Sequence, residues 1–252
     1  MANWNDPQPT RTGFGASPKL DGGMNGEVIG RSGAVDQGVR KHMLSIYNYM
    51  ASGVLLSGIV ALLFARSGMA AAVFGTPLRW LVALAPLGFV LAMSFGANRM
   101  QTGTLRALFW GFSIAMGLSL SSIFFVYTGP SIAATFFATA GAFAGLSLVG
   151  YTTKRDLSAM GSFLTMGVFG LLIAMVINMI WPSQGFGLVI SLLGVLIFAG
   201  LTAYDTQRLK EMYYQVAGTE FAGKAVVMGA LSLYLDFINM FQFLLSFMGD
   251  RR

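Results

Sequence analysis

Cysteine is absent from this 252-residue chain, and histidine occurs once, at His42. Without thiols there is no disulfide framework, no thiolate metal site and no cysteine nucleophile. A single histidine excludes a histidine-based metal cluster and, at the edge of the first apolar run, a Ser-His-Asp triad within one chain. Charge is scarce as well. Asp, Glu, Lys and Arg make up 10% of the residues, where soluble domains carry about 25%. What stands in their place is apolar: 55% of the chain is hydrophobic. The net charge of +6 does not point to nucleic acid, because the basic residues gather at the ends of apolar runs and in the N-terminal tail.

Residues 1–38 are polar and rich in Gly, Pro, Asn and Asp. They contain no apolar core of signal-peptide length, so a cleaved signal is not expected. They read as a disordered tail, followed by a membrane domain over residues 39–252. Seven apolar segments follow at 43–65, 78–98, 107–127, 131–151, 161–181, 186–207 and 225–247. Each has about the 20 residues that a helix needs to cross a bilayer. The runs are too long and too uniformly apolar for barrel strands, which would alternate. In lipid the backbone must satisfy its own hydrogen bonds, so the expected fold is an all-α polytopic bundle of seven transmembrane helices.

Lys and Arg set the expected orientation. With the N-terminus in the cytoplasm, twelve of them fall on the inner side and four (Arg66, Arg79, Arg251, Arg252) on the outer side. Small residues recur at helix-packing spacing in Gly141/Gly145, Ala142/Gly145 and Gly167/Gly170, and close packing inside the bundle is expected of them. A monomer follows from that reading.

Two aspartates break the apolar pattern. Asp205 in the sixth segment and Asp236 in the seventh are the only acidic residues in the seven spans. Each lone carboxylate at such depth costs about 2.5–3.5 kcal/mol. The midpoint between them falls at Gly218-Thr219-Glu220-Phe221, the one strongly turn-like stretch in the interval. A helical hairpin folded there brings both carboxylates to the same depth. The sixth helix should continue through Gln207–Gln215 beyond its apolar run. Ser232, Asp236 and Asn239 share one helical face, and so do Thr202, Asp205 and Arg208. Two carboxylates in a low-dielectric site cannot both ionise cheaply, so the pair should titrate as a unit. Such a pair shares a proton when protonated and separates, or holds a cation, when ionised. Arg99, at the inner end of the second segment, is placed to complete an Asp–Arg–Asp latch. Calcium, a hard cation that takes six to eight oxygens, would bind the two carboxylates only weakly and transiently, as permeation requires. No resident cofactor is expected. Structural roles are the expectation for Asn178, as a packing hydrogen bond, and for Asp156, as a helix cap.

The segments Leu231–Phe241 (LSLYLDFINMF), Ala203–Gln207 (AYDTQ) and Thr153–Ser158 (TKRDLS), with the basic end of the second segment, resemble the Bax inhibitor-1 family in its bacterial YccA-like branch. The likeness spans about residues 40–249. It implies a seven-helix bundle with the last helix at its centre. It also implies a pH-sensitive calcium leak gated by paired aspartates, which map to Asp205 and Asp236, with Arg99 as the latch arginine. Some members carry an acid inside the second helix; here Gly88 stands near that place.

The expected function is therefore a pH-sensitive cation leak channel, not an enzyme, in a bacterial inner membrane. Its partners would be the bilayer, calcium ions and protons. The alternative is a regulator or substrate of a membrane-bound AAA protease, presenting its N-terminal tail. A third class, an intramembrane hydrolase, has an aspartyl pair but no further catalytic motif.

Overall fold

The computed structural model describes residues 23–252, with side chains described from Asp36 onward. Among them the helices are α1 (Gly23–Arg66), α2 (Met69–Phe74), α3 (Leu78–Gly96), α4 (Thr102–Leu120), α5 (Ile123–Val126), α6 (Gly129–Thr152), α7 (Ser158–Ile180), α8 (Gln184–Val216) and α9 (Phe221–Met248). Of the tail expected over residues 1–38, residues 1–22 lie outside the described residues, and α1 is helical from Gly23. Val39–Arg252 forms one compact unit.

Among the described residues, seven stretches are long and apolar enough to cross a membrane. They are Asp36–Arg66 of α1, α3, Thr102–Val126 spanning α4 and α5, α6, α7, α8 and α9. Each coincides with one of the seven expected segments, so the protein is an all-α, multi-pass membrane bundle. The third span is interrupted at Ser121–Ser122. There the Ser121 hydroxyl donates to the Leu118 carbonyl and the Ser122 hydroxyl to that of Ser119, competing with the helical ladder. The sixth helix runs on to Val216, as its sequence suggested. Just past its C-cap, Ala217, comes Gly218, whose φ of +76° is the left-handed conformation that glycine adopts without strain.

Helix α9 is the centre of the bundle. In its most apolar stretch 56% of the residues are buried, against 6% in α7, which faces outward along nearly its whole length. It packs on α4, α6 and α8. Midway along it, the ring of Tyr234 is enclosed by Phe109 and Phe112, with centroids 6.3 and 4.9 Å away. Its hydroxyl meets Ser57 Oγ of α1 at 2.7 Å. Ser57 in turn donates to the Ser113 carbonyl of α4 at 2.6 Å, so one hydroxyl chain ties three helices. Because Ser57 has one proton and spends it on carbonyl oxygen, Tyr234 is the donor to Ser57. Tyr234→Phe should cost about 1 kcal/mol, a lost buried hydrogen bond with the packing kept. Thermal unfolding in detergent measures this.

The expectation for the small residues of α6 is corrected. Gly141, Ala142 and Gly145 are exposed, and a side chain at either glycine would enter open space. The close approach on α6 is instead at Gly150, where an added Cβ would collide with the Ala203 backbone of α8. Hydropathy could not separate these faces, because lipid and helix interior are both apolar.

Candidate functional site

The α8–α9 hairpin carries both aspartates. Ser183 starts it as the N-cap of α8, accepting from the Phe186 amide, and Gly218 turns it. The two helices pack against each other directly. Asp205 is 7% exposed and Asp236 5%, so neither carboxylate is solvated.

Their surroundings differ. Ser232 Oγ donates to Asp205 Oδ2, and Arg208 Nη1 stands 3.7 Å from Asp205 Oδ1. Asp236 lies one turn beyond Ser232 on α9, and its Oδ2 is buried with no hydrogen-bond partner. Ser232, grouped by spacing with Asp236, serves the opposite aspartate. Thr202 turns its hydroxyl to the Phe198 carbonyl of its own helix at 2.8 Å. Asn239 donates to the Leu235 carbonyl at 2.8 Å and faces a cavity.

The structure does not bring Arg99 to the pair. Arg99 lies in the turn after α3, exposed, with its amide bonded to the Gly96 carbonyl. Its helix, α3, packs on α4. The cation beside the aspartates is Arg208, whose side chain is 55% exposed. Gly88 is exposed on α3 with open space around it.

A cavity of about 890 Å³ lies among α7, α8 and α9. Asn178, Ser191, Asn239, Gln242 and Ser246 supply its polar lining, and Gly249 and Arg251 lie at its C-terminal end. Ser191 and Ser246 are hydrogen-bonded to each other at 3.0 Å. Asn239 is one turn from Asp236, so this polar space approaches the buried pair from one end of the bundle. Asn178 also caps the α7–α8 turn, accepting from the Ser183 amide at 3.2 Å.

Sequence reasoning passed over Gln207, Thr206 and Lys210. Gln207 accepts from the Leu157 amide at 2.9 Å and donates to the Arg155 carbonyl at 2.8 Å, clamping the α6–α7 loop to α8. Lys210 donates to the Tyr151 carbonyl at 2.8 Å, and Thr206 to Ser147 at 3.3 Å. The signal was three consecutive polar residues, Asp205-Thr206-Gln207, which no single helical face could hold. In the same loop Asp156 accepts from the Ser158 amide at 2.8 Å, at the start of α7. Hydrogen bonds from the Ser158 hydroxyl and amide hold its carboxyl below the usual carboxylate range. A depressed carboxylate contributes stability above its unfolded pKa and loses it only as pH falls through the folded one. The N-cap of α7 is Leu157, with no side-chain cap bond, so Asp156 sits one residue before the cap rather than at it, and its carboxylate stays charged at neutral and mildly acidic pH.

Among the described residues no three His, Asp or Glu side chains gather as a metal cage. Two carboxylates, one oxygen already engaged by Ser232, make at most a weak site for a hard cation.

Comparison with known proteins agrees with this architecture. The family described as "Inhibitor of apoptosis-promoting Bax1" matches residues 39–252. An uncharacterized protein of Caulobacter vibrioides is 49% identical over 233 residues, covering 87% of this chain and 92% of the relative. Inner membrane protein YbhL of Escherichia coli K12 is 42% identical over 219 residues, covering 85% and 94%. An uncharacterized membrane protein of Streptococcus pyogenes is 33% identical, covering 90% and 99%.

Proposed function

The chain belongs to the Bax inhibitor-1 family, and from that premise we propose that it is a proton-operated cation leak, with calcium as the cargo, gated by Asp205 and Asp236. The observation that carries this reading is the buried pair itself. One carboxylate is held by Ser232 and Arg208, while the other keeps an unpartnered oxygen one turn from Asn239, which lines a polar cavity. A proton or a cation can complete the bonding of that oxygen. With one of the two carboxylates protonated, the hairpin stays closed. With both carboxylates ionised, mutual repulsion loosens α8 from α9 and leaves two anionic groups for a passing cation. Calcium passage should thus rise with pH. The N-terminus would face the cytoplasm, and the membrane would be a bacterial inner membrane, like that of the Escherichia coli relative.

The test is calcium entry into vesicles carrying the purified full chain, against empty vesicles, across pH. Two arginine variants sharpen it. Arg208→Gln should move the half-maximal pH upward, because losing the nearby cation makes ionising the pair costlier. Arg99→Gln should leave the pH curve in place. If Arg99→Gln shifts the curve and Arg208→Gln does not, the assignment of the cation is wrong.

A further inference from the structure

A second opening in the bundle lies away from the aspartates. It is a groove of about 740 Å³ between α1 and α6, floored by Phe237 of α9. Met50 and Val54 form one wall and Ala140 and Ala144 the other, and the middle of the groove is almost wholly apolar. Both walls belong to membrane-spanning helices. The groove is polar at one end only. Arg40, Tyr47 and Tyr151 line that end. Lys210 adds a second cation there: its ammonium bonds the Tyr151 carbonyl and lies 5.1 Å from the centre of the Tyr151 ring.

We propose that this groove is a binding site for an anionic phospholipid, with one acyl chain between α1 and α6 and the phosphate at Arg40 and Lys210. Three properties select this occupant. The site opens within the spans, so its ligand arrives from the bilayer. Its wall on α1 runs from Arg40 to Leu55, about 22 Å at the helical rise. That exceeds half of the roughly 30 Å hydrocarbon core, so a chain anchored at Arg40 fits down to the midplane. Finally, the groove pairs an apolar body with a cationic end, the complement of an amphiphile with an anionic head. The tyrosines at that end supply amphipathic rings at headgroup level. The small side chains of Ala140 and Ala144 leave the width that the acyl chain occupies.

The experiment is native mass spectrometry of the full chain in a neutral maltoside detergent. Phosphatidylglycerol or phosphatidylcholine is titrated in, and retained lipid is counted. The wild-type protein should retain one phosphatidylglycerol, in preference to phosphatidylcholine. Arg40→Gln, an exposed change, should weaken phosphatidylglycerol retention about fivefold, the effect of one cation near a membrane surface, and leave phosphatidylcholine unchanged. Ala144→Trp, with helicity checked by circular dichroism, should abolish retention by filling the groove. Equal retention of the two lipids by the wild type would overturn the proposal. So would an Arg40→Gln variant that binds phosphatidylglycerol as the wild type does, or a folded Ala144→Trp variant that still retains it.

Discussion

Asp236→Asn should hold calcium entry at its low-pH level across the whole range in which the wild-type protein responds. Asparagine has nearly the shape of a protonated aspartic acid and never ionises. With it in place, Asp205 has no second negative charge to repel, and its bonds to Ser232 and Arg208 stay as they are. The closed hairpin is then the stable form at every pH. A one-proton switch changes the ratio of its two states by about tenfold per pH unit near its midpoint. Wild-type entry, which follows the ionised fraction, should therefore rise about tenfold over the two pH units centred on the midpoint, and that of the variant by less than about twofold. The fold should survive, because the amide donor can reach acceptors that a carboxylate cannot. Vesicle flux with a calcium dye reads both numbers. A variant that keeps the wild-type slope would place the pH sensor elsewhere.

Gly150→Leu should have the largest effect on stability. Gly150 lies where α6 crosses α8, and a Cβ there runs into the Ala203 carbonyl. Overpacking against movable side chains costs about 1–3 kcal/mol. Here the obstacle is backbone and cannot rotate aside, so the loss should reach at least about 3 kcal/mol. The damage would also reach the site, since Ala203 is two residues from Asp205 and Gln207 clamps the loop between α6 and α7. Gly141→Ala on the same helix is the control. Its side chain enters open space, and its stability should change by less than about 0.5 kcal/mol. Unfolding in detergent compares the two. Equal melting of both variants would show that the crossing of α6 and α8 is looser than its geometry.

The spans were legible because a bilayer demands long apolar helices, and nothing else in the chain meets that demand. The hairpin was legible from one turn, Gly218 to Phe221, which holds the midpoint between Asp205 and Asp236. What stayed hidden depends on rotation and lateral order. Hydropathy gives the span that Arg99 ends but not its neighbours across the bundle, nor which way Gly141 and Gly145 face. The spacing of Ser232 marked its helical face without saying which aspartate it would bind. Helix α2 and the break at Ser121–Ser122 are short local features inside or between apolar runs, where periodicity carries no signal. Gln207 was overlooked because its partners are backbone groups of a loop 50 residues away.

The most direct measurement of the gate is calcium entry against pH by the wild-type chain beside the double variant Asp205→Asn/Asp236→Asn, in vesicles of one lipid composition. The account predicts entry that climbs with pH in the wild type and stays low and flat in the double variant. Wild-type entry no greater than that of empty vesicles, or a double variant with the wild-type pH curve, would contradict it.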